Sequence, residues 1–323
     1  MRGIVVIIVA MIRYLWLCFF CVGTLFNAQA QLTHQQVYVD YDAAWTYKNL
    51  KLIPVRPKGL PGAQAGLEAL KGAVSMEEAM RQGLISVQER GTASTENVHW
   101  LSVYNHSNRP ILFRSGELLE GGRQDRMVTK DTVMMPGISR IDLPVMCVEE
   151  GRWSEKTKKF LYKGMANPGL RKVLDQSNNQ VLIWREINSQ LQADSISSKT
   201  LSYLAKQNTK SYSAEAASYK KYFSEQWALS DSNLVGMICL SGDQILGADL
   251  FTQPDLFFAA ADALLLGYSE AAIARGSTPK VPDATVRAYL DPYFRDEGSQ
   301  QQALRKSGKA HYFRGKIMHL AIY

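Results

Sequence analysis

The chain predicts an α+β fold: an antiparallel, sheet-rich core that carries a helical insert and C-terminal helices. Three observations carry this. Residues 84–153 are a succession of short apolar or alternating runs separated by Gly, Pro and Asn turn chemistry. Beyond residue 154 the apolar positions move to helical spacing, with Leu170, Val173, Leu174, Val181, Trp184, Ile187 and Leu191 in one series. Strand-like runs return after residue 231, so sheet-forming segments flank a helical one. The parts 47–153, 154–230 and 231–323 read as a single domain over 47–323, preceded by a loosely held arm at 31–46 and a leader at 1–30.

Each element has its own signal. Residues 47–55 have strand character and run into Pro54, Pro57, Gly59 and Pro61. Ser75-Met-Glu-Glu78 fits a capping box, with the Ser oxygen on a free helix N–H and Glu78 reaching back. The short helix it starts should stop at Gly83, and 84–89 then reads as a strand. Residues 98–104 and 111–114 read as a hairpin joined by Asn-His-Ser-Asn-Arg-Pro. Two further strands, 127–135 and 138–149, are broken at Pro136-Gly137. Shorter helices are expected over 200–206 and 214–229. Strands at 234–240 and 245–251 share a Ser-Gly-Asp-Gln turn. Pro254 suits the first turn of a helix to about Arg275, and Gly276 suits its end. A short helix near 283–290 and a strand at 316–323 close the chain.

The leader has export character. Residues 14–26 are almost wholly apolar, Arg13 stands just upstream, and Ala28-Gln29-Ala30 has the small-x-small form of a cleavage site. Met11 is an alternative start, and a retained N-terminal anchor is the competing reading. Cleavage after Ala30 predicts an exported, periplasmic or extracellular protein with no stable membrane insertion. It also lowers the formal charge from +7 to +5, since Arg2 and Arg13 leave with the segment. The basic excess concentrates in 154–222, with twelve Lys/Arg against five Asp/Glu. Export and helical patterning make that a solvated face and argue against a nucleic-acid partner. Cys18 and Cys21 go with the leader; Cys147 and Cys239 remain, as one bridge or as two buried thiols.

Two windows hold the densest chemistry. Gly116-Glu-Leu-Leu-Glu-Gly-Gly-Arg-Gln-Asp-Arg126 and Pro144-Val-Met-Cys-Val-Glu-Glu-Gly-Arg-Trp153 combine arginines, carboxylates, turn glycines and a thiol. Alternation puts Ile141, Leu143, Val145, Cys147 and Glu149 on one face of a strand. A carboxylate on such a row needs a partner, and Arg123, Arg126 or Arg152 can supply it. Gly121-Gly122 permits left-handed backbone and close approach of N–H groups. With Gln124 and Arg126 beside it, an anion site and an ordinary loop are both open. Cys147 reads as a buried, inert thiol before it reads as a nucleophile. None of His34, His99, His106, His311 and His319 stands at a diagnostic spacing, and no metal-ligand pattern is recognisable. Dinucleotide, phosphate-loop, zinc-protease and serine-hydrolase motifs are absent from the sequence. Asp249, at a strand end before a helix, reads as a helix N-terminal acid, with ligand contact second.

Together the windows resemble the family named for its association with ADP-ribosylglycohydrolase, rhodanese and phosphatase domains. Its Gly-Glu-x-Leu-x-Gly-x-x-Gln-x-Arg element matches Gly116, Glu117, Leu119, Gly121, Gln124 and Arg126. Its Pro-Val-x-Cys-Val-Glu-x-Gly-Arg-Trp element matches Pro144, Val145, Cys147, Val148, Glu149, Gly151, Arg152 and Trp153. Weaker matches follow at 180–184 and 249–251, and the likeness spans roughly 45–323. The family has no settled activity. Its associations imply a link to nucleotide or ADP-ribose-type metabolism, which the export signal of this chain weakens.

The expectation is a pocket for a small anionic, phosphate- or nucleotide-like ligand. Gln124, Arg126 and Arg152 would bind it, and Glu117 and Glu149 are the acid–base candidates. No cofactor, metal or protein partner is indicated. The alternative is a non-catalytic envelope binding or structural protein whose Glu–Arg pairs are purely structural.

Overall fold

A computed structural model describes residues 32–59, 67–91, 98–153, 159–230 and 232–323. The predicted export segment lies outside the described residues. In chain order β1 (Val37–Val39), β2 (Trp45–Tyr47) and β3 (Leu50–Pro57) precede β4 (Val74–Ser75), α1 (Met76–Arg81) and β5 (Ile85–Glu89). Next come β6 (Trp100–Asn105), β7 (Ile111–Phe113), β8 (Glu117–Glu120), β9 (Arg126–Val128), β10 (Thr132–Met134), β11 (Arg140–Cys147) and β12 (Leu161–Met165). The helices α2 (Pro168–Ser177), α3 (Gln180–Ala193) and α4 (Lys210–Leu229) follow. The chain closes with β13 (Gly236–Ser241), β14 (Gln244–Phe251), α5 (Pro254–Arg275), α6 (Asp283–Phe294), α7 (Glu297–Ser307), β15 (Gly308–Phe313) and β16 (Lys316–Ile322). The fold is α+β, as the sequence predicts.

The larger sheet runs β1-β3-β13-β14-β16-β15, with β2 also on β3, and every pairing in it is antiparallel. Both of its faces are covered. Leu52, Met237, Cys239 and Phe251 pack under α4 and α5, while Ile53, Val55, Ile238, Leu250 and Leu320 pack under α6 and α7. Burial on both sides explains why these strands read as nearly unbroken apolar runs. It also explains the composition of α5. At 22 residues and mean hydropathy 1.5 it is long and apolar enough to cross a membrane, yet most of it is buried inside the domain. A six-stranded sheet, β12-β8-β9-β11-β6-β5, is covered by α1 on one face and by α2 and α3 on the other. The small sheet β10-β7-β4 contains a parallel pair, β4 with β7.

Several local expectations hold. Ser75 accepts from the Glu78 N–H at 3.2 Å, and α1 ends before Gly83 at φ +69°. The Glu78 carboxylate turns to Arg81 and Gln82 instead of reaching back, so half of the capping box forms. The β13–β14 hairpin and the limits of α5 fall where predicted. Others need correction. The 31–46 segment is not a loose arm: Val37–Val39 pairs with β3, and Leu32 and Val37 are buried. Three residues are too few for an alternation signal, so only the pairing reveals the strand. Residues 98–104 and 111–114 do not form a hairpin, because β6 lies between β5 and β11 while β7 lies between β10 and β4. The Asn105 side chain caps Ser107 in a tight turn, from which the chain leaves for another sheet. The run 127–135 is two strands, and the helical series 170–191 is two helices, interrupted by Asn178 at φ +45° and the Asn179 N-cap. The helix α7 and strand β15 had no clear signal.

Candidate functional site

The two polar windows close on themselves. Glu117 opens β8 with no exposed surface. It accepts from the Arg114 N–H at 2.8 Å, the Arg114 guanidinium at 3.3 Å and the Tyr162 hydroxyl at 3.2 Å. Burial outweighs those contacts and pushes its carboxyl up to about 7. Arg126, on β9, is also fully buried; its Nη1 donates to the Gln124 carbonyl at 2.9 Å, and its ion partner is Glu89 at 3.6 Å, not Glu117 or Glu149. The Gln124 amide donates to the Glu149 carbonyl at 2.8 Å.

Glu149 and Arg152 do meet. The Arg152 Nε donates to Glu149 at 2.6 Å, Nη1 to the Gly122 carbonyl at 3.0 Å, and Nη2 to Asp125 at 2.8 Å and the Gly121 carbonyl at 3.3 Å. Glu149 further accepts from Thr200 at 2.6 Å. Gly121 and Gly122 take the left-handed angles expected, at φ +128° and +54°. The close approach they permit is to this chain: a Cβ on Gly121 would stand 2.6 Å from the Lys159 carbonyl. Glu149 and Arg152 form part of the wall of a cavity of about 520 Å³, together with Glu120, Asp125 and Lys159. Cys147 is buried, burial pushes its thiol up, and its backbone N–H and C=O are both held by the Gln180 side chain. Cys147 and Cys239 are free thiols.

A second polar centre lies where the large sheet meets the six-stranded one. Asp249 on β14 has no exposed surface and is not a helix-capping acid. It binds the Arg171 guanidinium of α2 through both oxygens at 3.0 and 2.5 Å, the Tyr268 hydroxyl at 2.6 Å, and His319 Nε2 at 2.8 Å. The Arg171 charge beside it holds its carboxyl well below the usual range despite burial. His319 Nδ1 lies 2.9 Å from Asp131, which follows β9 and also accepts the Ser115 N–H at 2.8 Å. With a carboxylate on each ring nitrogen, His319 is raised to about 9. His311 pairs across strands with His319, stacked at 5.0 Å, and its Nδ1 stands 3.4 Å from Asp131. Donor atoms of Asp131, His311 and His319 all fall within 4.8 Å of one another. His311 is 4% exposed, and its Nε2 has no hydrogen-bond partner. Asp131 and His311 belong to the wall of a cavity of about 720 Å³, with His99, Lys130, Asp175 and Lys309 around it.

Sequence reading missed this centre because its parts are 188 residues apart at the extremes, Asp131 to His319. Signals existed. Asp249 and His319 each sit inside an apolar strand run, where a charged or polar side chain needs a partner. His311 and His319 flank the Arg314-Gly315 turn. A simple hairpin would, however, set His311 against Met318; a bulge between His311 and Tyr312 moves it opposite His319.

The fold and this pairing pattern define an α+β domain built around two buried ionic centres, each beside a cavity. The chain belongs to the ARPP-1 family, the ARG and Rhodanese-Phosphatase-superfamily-associated Protein domain, whose pattern matches residues 38–322. No curated protein matches the chain, and no solved structure does.

Proposed function

We propose that the domain binds a small anionic ligand, and that it does so in the cavity beside His311 rather than on Arg126 and Arg152. The pairing state of the charges around that cavity carries this reading. Asp131 is committed to two histidines and a backbone N–H, and Asp175 accepts from Tyr323 at 2.7 Å and Ser115 at 3.3 Å. Lys130 and Lys309 have no ion pair among the described residues. His311 adds a buried nitrogen without a partner. Two lysine charges thus face the one carboxylate charge of Asp175, which neutral hydroxyls contact, so the balance is positive, and phosphate or carboxylate oxygens satisfy it best. At the other cavity each guanidinium nitrogen of Arg152 already has a protein acceptor, so the Glu–Arg windows act as framework in this reading.

The apolar leader and Ala28-Gln29-Ala30 make this an exported binding domain on the same reading; an intact mass beginning at Gln31 in envelope material checks it. The family name points to ADP-ribosylglycohydrolase neighbours, so ADP-ribose belongs among the probes with phosphate and pyrophosphate. A ligand that binds only the native state raises the melting temperature. The expected result is a rise for wild type that is lost in Lys130→Ala/Lys309→Ala and kept in Arg152→Gln. The opposite pattern puts the ligand on the sequence windows and overturns the assignment. No rise with any probe counts against anion binding altogether.

A further inference from the structure

We infer that Asp131, His311 and His319 form a binding site for one divalent first-row transition metal ion of the zinc class. Both histidines turn Nδ1 toward the Asp131 carboxylate, His311 at 3.4 Å from Oδ1 and His319 at 2.9 Å from Oδ2, so each carboxylate oxygen faces one ring. The longer separation exceeds an ordinary N–H···O contact. It suits two donors on one ion, since bond lengths of about 2.0–2.1 Å put tetrahedral donors about 3.3 Å apart. The shorter one needs to open by only a few tenths of an ångström, and the proton that His319 Nδ1 holds against Asp131 leaves to solvent as the ion takes its place. Two imidazoles and one carboxylate favour zinc-class ions over magnesium or calcium, which prefer oxygen.

The surroundings point the same way. His319 presents Nε2 to Asp249 at 2.8 Å, the carboxylate–histidine arrangement that orients a metal-bound ring. Asp249 is itself fixed by Arg171 and Tyr268. The Ser115 N–H holds one Asp131 oxygen at 2.8 Å. Three protein donors leave a coordination position open, as in sites where zinc meets a water or a substrate. Asp131 and His311 border the 720 Å³ cavity, which gives that position a path to solvent. An ion on His311 Nδ1 would also put the ring proton on Nε2, the atom that lacks a partner. An anion held between Lys130 and Lys309 could then take the open position. This last use rests on the proposed anion site; the metal site does not.

The test uses the full-length chain, stripped by chelator and titrated with zinc alone in phosphate-free buffer. Calorimetry and elemental analysis should give one ion per chain, with affinity falling by at least roughly a hundredfold in His311→Gln. Lys130→Ala/Lys309→Ala should bind zinc as wild type does, which separates failure of the anion site from failure of the metal site. Cobalt(II) added to the wild-type protein gives a readout that no variant's folding can confuse. Intense visible bands of a four- or five-coordinate ion support the site. Only the weak bands of hydrated cobalt, or zinc binding unchanged in His311→Gln, overturns it.

Discussion

Glu117 is a carboxylate that the fold takes wholly out of solvent, and its titration is the most accessible consequence at the scale of a single residue. Burial raises it from 4.5 to about 7; Asp131 nearby adds a little in the same direction, while Arg114 and Tyr162 pull against both and lose. For an acid whose folded-state value lies above its unfolded one, folding favours the protonated form. The stabilisation is complete below about pH 4.5 and is lost as pH rises through about 7. The shift corresponds to about 3 kcal/mol between those limits. Glu117→Gln keeps one acceptor oxygen, enough for the Arg114 N–H on Oε2 or the Tyr162 hydroxyl on Oε1 but not both, and removes the titration. Urea denaturation at pH 5 and pH 8 should show wild type losing more stability than the variant over that interval. A wild-type-minus-variant difference that stays constant with pH would show that Glu117 is already ionised at the lower value. The residue was legible as special from its motif, but its burial was not, because the side chains that enclose it, Arg114 and Tyr162, come from a neighbouring turn and from β12.

At the scale of elements, the join between α3 and β11 shows what a short motif encodes. Gln180, the first residue of α3, donates from Nε2 to the Cys147 carbonyl at 2.7 Å and accepts the Cys147 N–H at 2.9 Å. One amide side chain thus imitates a strand neighbour where the ladder to β9 ends, at the Cys147–Arg126 pair. The weak resemblance at 180–184 marked this residue without saying why. Long strands were readable from sequence, β11 because its residues alternate and β14 because burial on both faces makes it a nearly unbroken apolar run. Three-residue strands were legible only in part: β1 gave no signal, β7 read as a strand but with the wrong partner, and β9 merged with β10, since their places depend on partners far along the chain. Gln180→Ala leaves one donor and one acceptor of a buried strand end unpaired, costing about 1–3 kcal/mol. The same substitution should loosen the protection of Cys147. Its thiol, raised by burial, is expected to react slowly with a thiol reagent in folded Cys239→Ser protein at neutral pH, and faster when Gln180→Ala is added. Fast labelling of the single-thiol parent would instead mean that the strand end opens readily or that the thiolate is favoured there.

Over the whole molecule, the two main sheets are held together by apolar packing and by one ionic hub. The core around α5 is continuous across them, since it includes Leu52 and Met237 of the large sheet along with Leu112 and Met165 of the smaller ones. The hub adds direction. Arg171 comes from α2, Asp131 from the link between β9 and β10, and Asp249 and His319 from the large sheet. Fold class was legible because composition changes along the chain; this junction was not, because its register depends on a bulge and its members are distant in sequence. The hub is asymmetric, and that yields a prediction. Asp249 serves three donors, Arg171, Tyr268 and His319, so Asp249→Ala strands a buried guanidinium and should cost about 3–5 kcal/mol. Arg171→Met removes one of those donors, leaves Asp249 with the other two, and deletes an Nε that has no partner. It leaves the buried Asp249 carboxylate sharing one cation, His319, with Asp131, yet its cost should be smaller, because a carboxylate can take up a proton to shed its buried charge and a guanidinium cannot lose one. Denaturation followed by far-ultraviolet circular dichroism and by tryptophan fluorescence is the measurement. Both variants should keep coincident transitions, since the α5 core still couples the sheets. Equal losses for the two would mean that Asp249 stays ionised without Arg171, so that each removal leaves an uncompensated charge. Separated transitions in Asp249→Ala would mean that the ionic hub, and not the apolar core, makes the two sheets fold as one.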